Sequence, residues 1–515
     1  MKKEETQNTQ NERNSRRVFV KYFREFRSFR VFCVSLLFLI AATTTLAQSS
    51  HFGDISVKIE AITSGATGVG YDEYRATIVN HSSNKSHQVI LTAPATHTGG
   101  SGPRVVELKR AVEAAPASTV IVTLFLPPLP LAGIDFAVVI DGQRQQDPVS
   151  IDGARSGAWV RRVNNKLYLL VSQSVSRSGL MNDPTLEKGL ADASGVPDVA
   201  YLPYDFLLSE WSANWLGYSR FDGVVVSADD MRSMPEGVRS ALLHYVECGG
   251  SMLVIGSWET PAQWQLRPQI VFTIKSDEAA ETENESEKKV PPNVASIKND
   301  LKTYYIGFGT LSLTGATDPK RIAESQWINL KADWEGSRPD ETYWGSISEI
   351  NQTFSVIDRI GVPVRGLFIL MILFVVLIGP INMVWLARRN KRIWLLWTIP
   401  AISFLTCLAV TVISLFGEGL GASSRTEALT ILDETSRRAT TLGWTAFYSP
   451  ITPGEGLRFG YDTELQPQLP GMWTFARAGG SGRAIDWTSD QRLASEWITA
   501  RVPAYFRFRK SEMRR

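Results

Sequence analysis

Cysteine is nearly absent: the chain has 3 in 515 residues. Cys33 and Cys407 sit inside apolar runs, which leaves Cys248 alone in the water-soluble part. No disulfide framework can form within one chain, so its domains must be held by their own cores. Histidine is also scarce, at 5 residues, and none follows Cys248, so no downstream imidazole can complete a cysteine-based triad. Of these, His81, His87 and His97 fall among turns with no Cys or carboxylate at ligand spacing, and they are not read as a metal set. A net charge of +2 lacks the basic excess that nucleic-acid binding requires. No cofactor motif is read anywhere in the chain.

Long apolar runs are confined to a few places, and two of them organise the rest. Residues 366–387 contain no ionisable side chain, and about 22 residues at ~1.5 Å rise cross a hydrocarbon core of roughly 30 Å. Pro380 removes a backbone donor in the second half of this run and should bend it. Asn382 is read as a polar contact between helices rather than part of a transport path. The second run, 393–417, is also free of charge and carries Trp394 and Trp397 at its start, where an aromatic belt would sit. Residues 388–392 join the two as a short basic loop, Arg-Arg-Asn-Lys-Arg, of the kind that stays cytoplasmic. The flanking parts, 48–365 and 418–515, are then expected outside.

The N-terminus agrees with that topology. A segment rich in Lys and Arg precedes a compact apolar stretch, 31–42, and then small residues up to Ala47, which is the order of a signal peptide with cleavage after Ala47. An uncleaved anchor is the alternative, and both export residue 48 onward. Ser15-Arg16-Arg17-Val18-Phe19-Val20-Lys21 resembles a twin-arginine address, although further Arg residues separate it from the apolar stretch, and ordinary secretion fits as well.

Residues 48–150 alternate β-branched and aromatic segments with turn clusters: 55–62, 73–79, 88–91, 105–108, 119–126 and 136–140 are expected strands, giving an immunoglobulin-like β-sandwich. In 155–335 the pattern changes. Gly223–Ser227 reads as a buried strand, Ser233 with Glu236 as a capping box opening a helix, Gly249-Gly250 as its end, and Met252–Ile255 as the next strand. Strand, helix, strand implies a parallel crossover, and 167–171 and 199–202 supply further strands, so this is an α/β domain. The acidic stretch near 276–293 is an expected disordered insertion. Residues 303–313 read as one strand, 323–334 as a helix, and 336–365 as a juxtamembrane segment. Beyond the second apolar run, 427–432 and 441–448 read as a hairpin within a C-terminal β segment that includes 457–461.

The phrase Tyr218-Ser219-Arg220-Phe221-Asp222-Gly223-Val224-Val225-Val226-Ser227, with Gly249-Gly250-Ser251-Met252-Leu253-Val254-Ile255-Gly256, resembles the class I glutamine amidotransferase-like domain of a group of uncharacterised bacterial membrane proteins. The similarity extends to Val362-Pro363-Val364-Arg365-Gly366, Ile378-Gly379-Pro380-Ile381-Asn382 and Trp394-Leu395-Leu396-Trp397-Thr398-Ile399-Pro400. The resemblance implies a flavodoxin/amidotransferase-like fold, a bacterial inner-membrane location with periplasmic domains, and company with envelope proteins carrying von Willebrand A-type domains and with MoxR-type ATPases. The related proteins continue into more β structure, so the C-terminal segment is expected to be cut short.

The same resemblance places a catalytic Cys on the turn after the strand 252–255, but that turn here reads Gly256-Ser257-Trp258. Cys248 ends the preceding helix one turn after His244, where the helix dipole opposes thiolate formation, so the domain is expected to be catalytically silent. A cleft at the carboxyl ends of the strands is left. Its candidates are Asp229 and Asp230 after one strand and Ser257 and Glu259 after another. Two aspartates there could hold a cation, but the preferred reading is a polar loop leading into a helix. Trp211, Trp215 and Trp258 nearby are read as packing aromatics. The reading is an envelope protein anchored in the lipid bilayer that binds or scaffolds, with a hydrolase or amidase using the same strand ends as the alternative.

Overall fold

Alternating and continuous apolar segments settle into different sheets. The computed structural model describes residues 49–63, 70–94, 105–129, 135–151, 167–180, 183–191, 199–203, 207–260, 296–298, 301–316, 318–336, 347–356, 364–389, 392–417, 421–434, 437–468 and 482–513. The signal-like segment, His97 and the acidic insertion lie outside these residues. The chain divides into two units, Met1–Ser50 and His51–Arg515, and the sandwich, the α/β part and the apolar helices all belong to the second.

All six strands expected in the first domain form. Ile55–Thr63, Asp72–Asn80 and Thr119–Leu126 pair antiparallel in one sheet. Ile55, Val57 and Ile59 are 0 to 1% exposed, while Ser56, Lys58 and Glu60 take the other face, the period-two pattern of a half-buried strand. The second sheet contains His87–Ala93, Val105–Ala114 and Asp135–Ile140. It does not end there. Arg483–Asp486 pairs parallel to Val105–Ala114, and Gln491–Ser495 and Leu457–Phe459 extend the sheet beyond it.

Residues that follow both apolar helices in the chain are therefore built into a sheet of the first domain. Trp487 fixes this junction. Its Nε1 donates to the carbonyl of Phe125 at 2.7 Å, and its ring packs edge-on against Phe125 and Tyr461 at centroid distances of 5.6 and 5.3 Å. The buried Tyr71 hydroxyl accepts from the Leu465 N–H at 3.0 Å and from Gln491 Nε2.

The α/β part has five parallel strands in the order Val199–Pro203, Leu167–Val171, Gly223–Ser227, Ser251–Ile255 and Gly309–Thr314. Leu301–Ile306 and Ser296–Lys298 continue it antiparallel. Both faces are covered, which is why Gly223–Ser227 and Ser251–Ile255 are near-continuous apolar runs. Leu169, Val171, Val225, Leu253 and Ile255 pack with Trp327, Leu330 and Trp334, the latter on the helix Glu324–Gly336. Leu170, Val224, Val226, Met252 and Val254 face the other way, into a core shared with Tyr245 and Val246 of the helix Glu236–Glu247 and continuous with the sandwich. The single strand expected over 303–313 is two, because the chain turns at Gly307, whose φ of 64° suits glycine. Ser233 does not open the helix Glu236–Glu247. It closes the preceding helix Ala228–Ser233, its hydroxyl donating to the Asp229 carbonyl at 2.8 Å.

A further sheet orders Ser423–Asp433, Arg438–Tyr448, Ala504–Met513 and Glu464–Gln468. Arg509 of this sheet is 8% exposed, pairs with Glu464, and donates to the Cys248 carbonyl at 3.2 Å. Arg438 meets Glu247 at 3.4 Å, and Trp215 Nε1 donates to the Asp462 carbonyl at 2.8 Å. The sheet is thus tied to the α/β part by buried polar contacts.

The apolar runs form two helices. Val364–Val376 passes through one π turn at Leu377–Ile381, around Pro380, into Asn382–Arg388, and the second helix is Leu395–Gly417. The π turn absorbs the donor that proline lacks. Asn382, 5% exposed, donates through Nδ2 to Thr398 Oγ1 at 2.9 Å, joining the helices as a polar contact. Among the described residues, Phe368–Arg388 is long and apolar enough to cross a membrane, and the described apolar stretch of the second helix is Leu395–Thr411. Phe368, Ile369, Met371, Leu396, Trp397 and Phe404 are all more than half exposed, an apolar surface of the kind that marks a membrane or protein contact.

Because Trp487 bridges strands from both ends of the chain, Trp487→Ala should lower unfolding stability by ~3–5 kcal/mol, read by denaturant melts in detergent. Limited proteolysis of this variant should open 105–114 and 483–495 together. Cleavage confined to the C-terminal residues would show that the two ends fold separately.

Candidate functional site

The parallel sheet reverses its winding between two strands. From Leu167–Val171 the chain crosses to Val199–Pro203 on one side, then returns to Gly223–Ser227 on the other. The loops leaving 167–171 and 223–227 diverge at their carboxyl ends, the place where open α/β sheets take ligands. Sequence reasoning placed Asp229 and Asp230 here, and the structure adds Ser172, Ser174 and Ser227.

Asp230 is 6% exposed and is the hub. Its Oδ2 accepts from Ser172 Oγ at 2.6 Å, from Ser174 Oγ, and from the Ser227 N–H at 2.9 Å. The Asp230 N–H in turn donates to Ser227 Oγ at 3.0 Å, closing a capping box at the start of Ala228–Ser233. Ser172 caps the neighbouring helix Gln173–Arg177. One carboxylate therefore fastens two helix starts and two strand ends together. Its donors are already in place, so Asp230 is a structural acid.

Asp229 is different: its side chain is 91% exposed and meets Arg232 Nη1 at 2.6 Å. Such an exposed pair contributes about 0–1 kcal/mol. Arg232 also donates to the Ser257 carbonyl, so the second loop is held through backbone, while the Ser257 and Glu259 side chains are exposed. Among the described residues, no group of three or more His, Cys, Asp or Glu side chains is arranged to hold a metal ion. Trp211 and Trp215 are buried, at 3 and 2% exposure, as packing aromatics.

Cys248 and His244 lie at the end of the helix Glu236–Glu247, which precedes the strand Ser251–Ile255. A parallel crossover puts that end at the amino edge of the sheet, opposite the switch point. They are linked backbone to backbone, the Cys248 N–H donating to the His244 carbonyl at 2.9 Å. Cys248 is 1% exposed, and burial pushes its thiol well above the ordinary range. This combination gives neither a thiolate nor access for a substrate. Burial also lowers the His244 imidazole to about 4, with Arg438 acting in the same direction and Glu247 opposing.

No family model matches the chain, and no curated protein or solved structure matches it either.

Replacing Asp230 with Ala strands the buried Ser172 hydroxyl and the Ser227 N–H, and should cost about 1–3 kcal/mol, whereas Asp229→Ala should stay within ~0.5 kcal/mol. Thermal melts of the two variants check this. His244 binds a proton near 6.5 when unfolded and near 4 when folded, so between these values the unfolded chain holds more protons. Its stabilisation is complete above the unfolded value and is lost as pH falls toward about 4. The melting temperature of His244→Gln should therefore fall less steeply than that of the wild type over this window.

Proposed function

We propose that this chain is a membrane-anchored bacterial envelope protein that binds or scaffolds partners, with its amidotransferase-like domain catalytically silent. One observation bears most of the weight: strands from before and after the helical pair hydrogen-bond in one sheet. A sheet cannot be divided by a bilayer, so both soluble parts share one side and the helical pair crosses twice. The basic hinge 388–392 then marks the cytoplasmic side, and the folded body is periplasmic on an inner membrane. Trp385, Trp394 and Trp397, each more than half exposed near the hinge, suit the interface there.

The strand order, with the second strand outside the first and the third on its other side, is that of doubly wound sheets and supports the amidotransferase-like reading. Two facing β-sheets with one core support the immunoglobulin-like reading of the first domain. The silent reading rests on the turn Gly256-Ser257-Trp258, which has no thiol, and on Cys248, which is sealed at the opposite edge. Von Willebrand A-type envelope proteins and MoxR-type ATPases are the partners that the sequence resemblance suggests. The switch-point hydroxyls of Ser172 and Ser174 favour one alternative, a hydrolase or amidase at the strand ends.

Purification of the tagged chain from membranes in mild detergent should bring down a protein at fixed stoichiometry. A solitary chain that hydrolyses amide or ester probes, and loses that activity in Ser174→Ala, would replace the scaffold reading with the enzymatic one.

A further inference from the structure

Ser56 alternates with core residues Ile55 and Val57 and so belongs to the outward face of its sheet, yet it is 6% exposed. Two imidazoles meet its hydroxyl. His51 Nδ1 and His81 Nε2 each lie 2.7 Å from Ser56 Oγ, with ring centroids 6.3 Å apart and planes inclined by 32°. The arrangement has a definite origin in the fold. His51 stands on the short strand Ser50–Phe52, which turns at Gly53, with φ of 60°, into Ile55–Thr63. His81 follows the strand Asp72–Asn80, and its N–H donates to the Asp54 carbonyl at 2.8 Å, which pins it over the same turn.

A serine hydroxyl has one proton and two lone pairs. It can donate to one of the two nitrogens only, so the other imidazole must supply its own N–H. A cation at this point removes that asymmetry, because both nitrogens then offer lone pairs to one centre. Imidazole nitrogens suit zinc and copper, at ~2.0–2.1 Å for zinc, and these two share one neighbour, Ser56 Oγ.

We propose that His51 Nδ1 and His81 Nε2 form a two-histidine site for a divalent transition metal of the copper and zinc class, with water in the remaining positions. Both rings are exposed, so the site is open to solvent. The carboxylate of Asp54, whose side chain is 61% exposed, adds negative charge at the turn. His87 is not a third ligand: its Nδ1 is held by Asp141 Oδ2 at 2.8 Å, and its Nε2 lies 4.0 Å from Asp54 Oδ2. Two protein nitrogens make this a weaker and more exchangeable site than a closed tetrahedral one. The site does not depend on the membrane reading.

The test uses the full chain in detergent, purified through a tag without histidine and titrated with Cu2+ under electron paramagnetic resonance. The expected result is one Cu2+ per chain with nitrogen hyperfine coupling, displaced by excess Zn2+. His51→Ala and His81→Ala should each weaken binding about tenfold or more, while His87→Ala leaves it unchanged. Because both imidazoles are exposed, the variants should melt like the wild type, and His51→Gln repeats the test with a polar side chain. Wild-type binding no stronger than that of the double variant, or binding unaffected by either substitution, would overturn the proposal.

Discussion

The parallel pairing of Arg483–Asp486 with Val105–Ala114 is the constraint on which the rest of the structure depends. It closes the chain on itself around the apolar helices. Everything placed between those strands must accommodate their adjacency: the α/β sheet, the helical pair and three strands of the final four-stranded sheet. Trp487 seals the pairing because it supplies both a large apolar surface and an indole N–H that finds a buried carbonyl. The buried Arg509–Glu464 pair is a second clasp, reaching from the last strand to the end of the helix Glu236–Glu247. Loss of either ionic partner would leave an uncompensated buried charge, so this contact favours one arrangement over others more than it adds net stability.

In the α/β part an acid at the strand ends is fastened by neighbouring donors. Asp230 occupies the switch point, but its oxygen is taken by two serine hydroxyls and a backbone amide. The one cysteine of the soluble part lies at the other edge, buried with its thiol driven up by desolvation. The sheet serves as a rigid core between the sandwich, with which it shares apolar residues, and the helices on its other face.

Much of this was legible in the sequence, and the limits have physical causes. β-branched and aromatic segments separated by turn clusters located the strands of the sandwich, and the continuous runs at 223–227 and 252–255 identified strands buried on both faces. The helical pair, including its distorted turn at Pro380 and the polar contact of Asn382, followed from local chemistry. Long-range register lay beyond the reach of local patterns. Arg110 and Trp487 touch across 377 positions, and nothing in either neighbourhood encodes that partner. Short capping signals misled for a similar reason. Ser233 has neighbours that suit either helix, and its hydroxyl went to the preceding one. Asp230 stood as a cleft candidate because Ser172, whose hydroxyl it accepts from, is 58 positions away. His51 and His81 come together only through the turn at Gly53 and the pairing of neighbouring strands, so no spacing rule would have joined them.

The most direct measurement is cysteine accessibility in intact cells, in a chain otherwise free of cysteine, with a membrane-impermeant maleimide. Ser83 and Ser489, both exposed and placed before and after the helical pair, are the reporters, with Asn390 in the hinge as the contrast. The account predicts that Ser83→Cys and Ser489→Cys label alike, while Asn390→Cys is protected until the membrane is opened. Labelling of Ser83→Cys and Ser489→Cys from opposite sides would contradict it, since no sheet could then contain strands from both parts.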